Sequence, residues 1–260
     1  FPLMFTFFFV GTIFSALTVI PAFFIGRRIT KNNVGGFFTA MLIAVSSFFV
    51  ARTTGESSDT DAYSVFFPVL IAWLFIEAME ASKLKKKIMW ISLAGLATGV
   101  FAFAWTGWWY IATFILVALI VHVAYLLLTH WNTKSTIFKS PTITSPLIVI
   151  GTYCLSSAIF ISLFTSFSQF IRIMRGPFQF ISLKAVAVTS FWPNIRTTVA
   201  ELNVASFTQV IEQLDGKFLL VLAIAGILIL LLQKNKEGKR DILIPFFLAL
   251  WLAASFYATT

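Results

Sequence analysis

The chain has 260 residues, of which 59% are hydrophobic and only 11% charged, with a mean hydropathy of +0.92 and a formal net charge of +9. A soluble domain carries roughly a quarter charged residues, so this composition excludes an ordinary water-soluble fold and leaves lipid to cover much of the surface. The basic excess does not indicate a nucleic-acid-binding domain, because it falls in short clusters between apolar runs and not on one face of a soluble unit.

Apolar runs close to the ~20 residues needed to cross a bilayer recur along the whole chain. They occupy residues 3–24, 35–51, 62–79, 88–104, 107–129, 145–163, 217–233 and 242–257. Backbone groups in hydrocarbon must pair within their own segment, and the ten-residue alternation of a membrane barrel is absent, so these runs are expected to be helices. The fold class that follows is all-α, a polytopic transmembrane bundle of about eight spans with one long external loop at 165–216. Part of that loop, near 176–192, reads as an interfacial or re-entrant helix. Cys154 is the single cysteine, so no intrachain disulfide is available. The run begins at Phe1 without an initiator Met or a signal pattern, and the expectation is a segment of a longer protein.

Eight spans force the connections to alternate sides. Arg27, Arg28, Lys31, Lys83, Lys85, Lys86, Lys87, Lys134, Lys139, Lys234, Lys236, Lys239 and Arg240 fall on one side, 13 of the 19 Lys and Arg residues. The positive-inside rule makes that side cytoplasmic and puts 53–61, 105–106 and 165–216 on the external face.

Three external segments carry chemistry. In Arg52-Thr-Thr-Gly55-Glu56-Ser-Ser-Asp59-Thr-Asp61-Ala-Tyr63, three carboxylates lie within six residues at a membrane face. Such density repels itself without a cation. Asp-x-Asp offers the oxygen ligands that suit Mg²⁺ or Mn²⁺ bridging to a phosphate. The alternative is a helix N-terminus, where acidic and Ser residues satisfy free amides and suit the dipole. The second segment, Trp105-Thr-Gly107-Trp108-Trp109-Tyr110, is either an interfacial aromatic belt or a stacking platform for sugar rings or a lipid head group. In the third, Thr197-Thr198-Val199-Ala200-Glu201-Leu202-Asn203, a carboxylate with apolar neighbours and Arg196 nearby is either solvated or brought back toward a site.

Taken together, these segments resemble the catalytic subunit of oligosaccharyltransferase, in its archaeal or bacterial single-subunit form, over essentially the whole chain. Arg52…Gly55…Asp59-Thr-Asp61-Ala with Phe66-Phe67-Pro68 is similar to that family's second acidic motif. Trp105-Thr-Gly-Trp-Trp-Tyr110 is similar to its aromatic-glycine segment, and Thr198-Val-Ala-Glu201 to its external S/T-x-x-E motif. The family moves a glycan from a polyprenyl (dolichyl) phosphate or pyrophosphate to the side-chain amide of Asn in Asn-x-Ser/Thr. The resemblance implies Asp59 and Glu201 as catalytic residues and Asp59 with Asp61 around Mg²⁺ or Mn²⁺. It further implies Arg52, Trp108, Trp109, Tyr110 and Glu201 as substrate-binding residues. The implied partners are a lipid-linked oligosaccharide, an acceptor polypeptide and membrane lipid, with no nucleic acid. The implied location is the cell membrane, multi-pass, with the active site external.

Residues 1–260 would form part of one transmembrane catalytic domain. The family's first acidic loop would precede Phe1, and its soluble C-terminal domain, with the WWDYG motif that reads the acceptor Ser/Thr, would follow Thr260; the 260-residue piece alone is expected to be inactive. Two other readings are a polyprenyl-phosphate-sugar glycosyltransferase with a hydroxyl acceptor and a cation-coupled transporter. The transporter is disfavoured because the spans are almost free of acids, with Glu77 and Glu80 at a cytoplasmic end.

Overall fold

The structure, a computed structural model, describes residues 2–53, 60–129, 141–178, 206–233 and 242–259; at 2–8, 141 and 258–259 it describes the helical backbone only. The described residues contain helices and no strand. They divide into two compact units, 1–170 and 171–260.

The first unit is built from α1 (Pro2–Thr30), α2 (Asn33–Val45), α3 (Ser47–Thr53), α4 (Asp61–Glu80), α5 (Leu84–Ala104), α6 (Trp109–Thr129), α7 (Pro141–Phe164) and the short α8 (Phe167–Phe170). Helix α4 lies at its centre, packed on α1, α5 and α6, and α5 packs along α7. The sequence explains that position: ten residues of α4 are buried, against two of α2. Phe14 of α1 meets Tyr63, Phe66 and Phe67 of α4, with ring centroids 5.0, 5.1 and 5.9 Å apart. Phe67 in turn stacks on Phe101 of α5 at 5.4 Å. Helix α2 instead exposes Val34, Phe37, Phe38, Met41, Leu42 and Val45, an apolar face suited to lipid.

The seam between α5 and α7 is set by small residues, the usual way for helices to approach closely when hydrocarbon offers no hydrophobic drive between them. A Cβ on Gly95 would lie 2.1 Å from Ser156 Oγ, and one on Gly99 would lie 2.6 Å from Phe160 Cβ. Close approach lets Thr98 Oγ1 and Tyr153 Oη share a hydrogen bond of 3.0 Å in the buried interior.

The second unit holds a helical turn at 172–178, then α10 (Phe207–Gln213), α11 (Lys217–Leu232) and α12 (Leu243–Thr259), the turn at 172–178 being α9. Ser206 starts α10 with a capping box: its Oγ accepts from Gln209 N, and Gln209 Oε1 accepts from Ser206 N. The chain turns by 82° between α10 and α11, through Asp215 and Gly216 at φ 57° and 107°.

Among the described residues, five helices are long and apolar enough to cross a membrane, and the bent pairs α2/α3 and α10/α11 raise the number to seven if each counts as one span. Eight spans were expected, and three of those runs are not single straight helices of span length, the run at 217–233 being the 16-residue α11. The run at 35–51 is not one straight helix, because the chain bends by 55° at Ser46. Helix α12 has 17 residues, about 25 Å of rise, short of a ~30 Å hydrocarbon core. Helix α1 also runs on past Phe24 to Thr30, so Arg27 and Arg28 lie on its last turn rather than in a loop. Of the expected loop at 165–216, the described parts are helical at α8, α9 and α10, and 179–205 lie outside the described residues.

Candidate functional site

The first two sequence-predicted segments meet at the Asp61 end of α4. Asp61 is the first residue of that helix, where the dipole favours a carboxylate. Its Oδ2 lies 3.6 Å from Arg52 Nη1, at the last turn of α3. The two side chains are 51% and 37% exposed, Arg52 being the more open, so the pair is wet and loose. The Arg52 guanidinium also lies 5.5 Å from the centroid of the Phe48 ring one turn earlier, which holds it along α3. Thr53 is buried and donates to the Phe49 carbonyl at 2.7 Å.

The aromatic segment is fastened to the same end. Tyr110 Oη donates to the Ser64 carbonyl at 3.2 Å, across 46 residues of chain, so the start of α6 is pinned to the first turn of α4. Ser64 Oγ donates to the Asp61 carbonyl at 2.8 Å, within that turn. Trp105 closes α5 and stacks on Phe101 at 5.7 Å, and Tyr110 meets its edge at 6.1 Å. Gly107 is required by this arrangement: a Cβ there would lie 2.2 Å from Trp105 Cη2. Trp108 is 1% exposed, hence packed inside the protein, whereas Trp109 and Tyr110 are partly exposed.

Arg52, Asp61, Tyr110 and Trp109 are therefore gathered at one end of one helix bundle. Asp59 and Glu201 lie outside the described residues, and so does the distance between them. Among the described residues, no three His, Cys, Asp or Glu side chains cluster as a metal site. Asp61 presents a hard, partly exposed carboxylate oxygen, a donor type that fits a divalent cation. One contact had no signal in the sequence, the Ser64 carbonyl that receives Tyr110, because a main-chain acceptor leaves no mark on residue type.

The second unit contains an apolar groove of about 500 Å³, lined by Phe207, Leu220, Ile224, Leu228, Leu252 and Phe256, among others. Phe207 and Phe256 face each other there at 5.7 Å.

A chain whose described residues form helices and no strand, with at least five of those helices long and apolar enough to cross a membrane, is a multi-pass membrane protein. Its sequence matches the family model "Oligosaccharyl transferase STT3, N-terminal" over residues 1–260, and the chain belongs to that family. It is 27% identical to a dolichyl-phosphooligosaccharide-protein glycotransferase of Methanococcus voltae, over 97% of this chain and 30% of that relative. A protein of the same description from Methanocaldococcus jannaschii is 23% identical over 97% of this chain and 35% of its own length. A dolichyl-diphosphooligosaccharide–protein glycosyltransferase subunit of Caenorhabditis elegans is 24% identical over 71% of this chain and 20% of its own. The chain thus spans about a third of the length of the archaeal relatives it matches. No solved structure matches it.

Proposed function

We propose that this chain forms the membrane part of a glycosyltransferase that moves an oligosaccharide from a dolichyl-type phosphate carrier to the side-chain nitrogen of Asn in Asn-x-Ser/Thr. The family match along the entire chain carries this reading. The gathering of Arg52, Asp61 and the Trp109–Tyr110 pair at one end of α4 supports it, because a phosphate-linked sugar needs a cation, a carboxylate and a flat apolar face close together.

In the reaction, the bond from the sugar's anomeric carbon to the phosphate oxygen breaks and a bond to the Asn nitrogen forms. The phosphate leaves with the electron pair, and the amide gives up one proton. An amide nitrogen is a poor nucleophile while it is conjugated with its carbonyl. Glu201 accepts hydrogen bonds from the acceptor N–H₂ and turns that nitrogen out of conjugation. Asp59 and Asp61 would hold a Mg²⁺ or Mn²⁺ ion through carboxylate oxygens, which would supply Lewis-acid neutralisation of charge on the phosphate. Arg52 steers the anionic head group toward the same end of α4. Trp109 and Tyr110 support the sugar face, with Trp108 packed behind them. The site faces the exterior, opposite the basic connections.

The test uses the full-length parent protein in membranes, a lipid-linked oligosaccharide and an Asn-x-Thr peptide. Asp59→Ala is expected to abolish glycopeptide formation while the melting temperature stays within a few degrees of wild type. Turnover retained by Asp59→Ala would remove the metal-ligand assignment. Glu201→Gln is expected to depress transfer far more than donor binding, and equal loss of both would make Glu201 a structural residue.

A further inference from the structure

The far end of α4 carries a second assembly that the proposed reaction does not use. Glu77, buried in that end, receives a bidentate contact from Arg28 of α1: Nε donates to Oε1 at 3.0 Å and Nη2 bonds Oε2. Trp73 Nε1 also donates to Oε1, at 3.3 Å, and Phe24 stacks on the Trp73 ring at 4.7 Å. One turn on, Lys87 Nζ of α5 donates to the Met79 carbonyl at 3.2 Å, and Trp90 lies 6.0 Å from Trp73. The last turn of α1, the last turn of α4 and the first turn of α5 are thus fastened together.

Fastening them brings together two basic clusters more than fifty residues apart in sequence. Arg27 and Lys31 come from the end of α1, and Lys83, Lys85 and Lys86 from the start of α5, all five exposed. Among the described residues, the carboxylates at this end are Glu77 and Glu80. Glu77 is occupied by Arg28, and Glu80 acts electrostatically on Arg28 and Lys87. A clear cationic excess remains on this end. It adjoins exposed apolar side chains, Leu84, Ile88 and Met89 on α5 and Val34 and Phe37 on α2. Cations above an apolar collar match a phosphodiester head group above its acyl chains. A soluble polyanion would have no use for the collar.

We propose that this end of the bundle is a binding surface for anionic phospholipid head groups. It is separate from the site at Asp61, because the 20 residues of α4 set the two ends about 30 Å apart. It holds lipid of the opposite leaflet from the one the donor head group would occupy. The Arg28–Glu77 contact is its organiser and does not itself touch the lipid.

The full chain is reconstituted in nanodiscs of phosphatidylcholine with a minor fraction of phosphatidylglycerol, and the lipids that stay bound on ejection are counted by native mass spectrometry. Wild-type protein is expected to retain phosphatidylglycerol well above its bulk fraction. R27Q/K31Q and K85Q/K86Q, on different helices, are each expected to lower that enrichment about tenfold, since both remove cations from one surface. K85R/K86R should keep it, which separates charge from side-chain packing, and R172Q/R175Q should leave it unchanged. Enrichment kept by either Gln pair would overturn the proposal. So would equal loss in R172Q/R175Q, or displacement of the lipid by millimolar inorganic phosphate.

Discussion

Helix α4 carries an arginine–carboxylate pair at each end, and the two are built to different standards. At one end Arg28 grips Glu77 with two hydrogen bonds, Trp73 adds a third, and the Glu77 side chain is only 11% exposed. At the other end Arg52 stands 3.6 Å from Asp61, in contact but beyond hydrogen-bond range, and both groups are open to solvent. The tight pair has three hydrogen bonds on its largely buried carboxylate and little capacity left for a ligand. The loose pair is long and wet, so its cation and its carboxylate are both accessible to an incoming head group or ion. Tightness marks the end that holds the bundle together, and looseness the end to which the proposed chemistry is assigned.

The sharpest way to break this comparison is at the tight pair. Arg28→Ala strands the buried Glu77 carboxylate and should cost about 3 kcal/mol, read as a lower melting temperature in detergent. Arg28→Met combined with Glu77→Leu should recover most of that loss, because the buried charge goes with its partner; a double variant as weak as the single would refute the assignment. Next in size is Gly99→Ala on the α5–α7 seam. The new Cβ would lie 2.6 Å from Phe160 Cβ and 2.9 Å from its carbonyl carbon, so backbone must move, at about 1–3 kcal/mol in the same assay.

Tyr110→Phe removes the hydrogen bond to the Ser64 carbonyl and should cost about 1 kcal/mol, together with slower glycan transfer by the full-length parent. Arg52→Gln should have the smallest effect on stability, under about 1 kcal/mol, because its pair is exposed and long. Its effect on transfer should be larger than that of Tyr110→Phe. If Arg52→Gln lowers the melting temperature as much as Arg28→Ala does, the two ends are alike and the contrast fails.

Much of the fold was legible because hydrocarbon leaves few options: an apolar run of span length is a helix. The breaks were harder to read. Residues 35–51 look uniform in hydropathy, yet Ser46 turns the chain there, its Oγ accepting from Phe49 N at 3.4 Å as α3 begins. The pair Ser46-Ser47 inside an apolar run was the available signal, a competing hydrogen-bonding group where the helix ladder had no other rival. The extension of α1 through Arg28 was hidden for a different reason. Charge argued for a loop, and only the three-dimensional arrival of Glu77, 49 residues later, makes the arginine at home on a helix. At the candidate site, motif order pointed to Arg52, Asp61 and Tyr110 but not to how they are joined. Tyr110 is joined to α4 through a main-chain carbonyl, and Arg52 is held along its own helix by a cation–ring contact, neither encoded by residue identity alone.

That carbonyl joint has an asymmetric bearing on how the protein can change. Position 64 contributes only its peptide oxygen to Tyr110, so many side chains could replace the serine there and the tether would survive. Position 110 has no such latitude, since the hydroxyl must come from the side chain. A lineage could therefore vary one partner freely while the other stays bound to tyrosine, and a comparison that looks for paired substitutions would overlook the contact altogether.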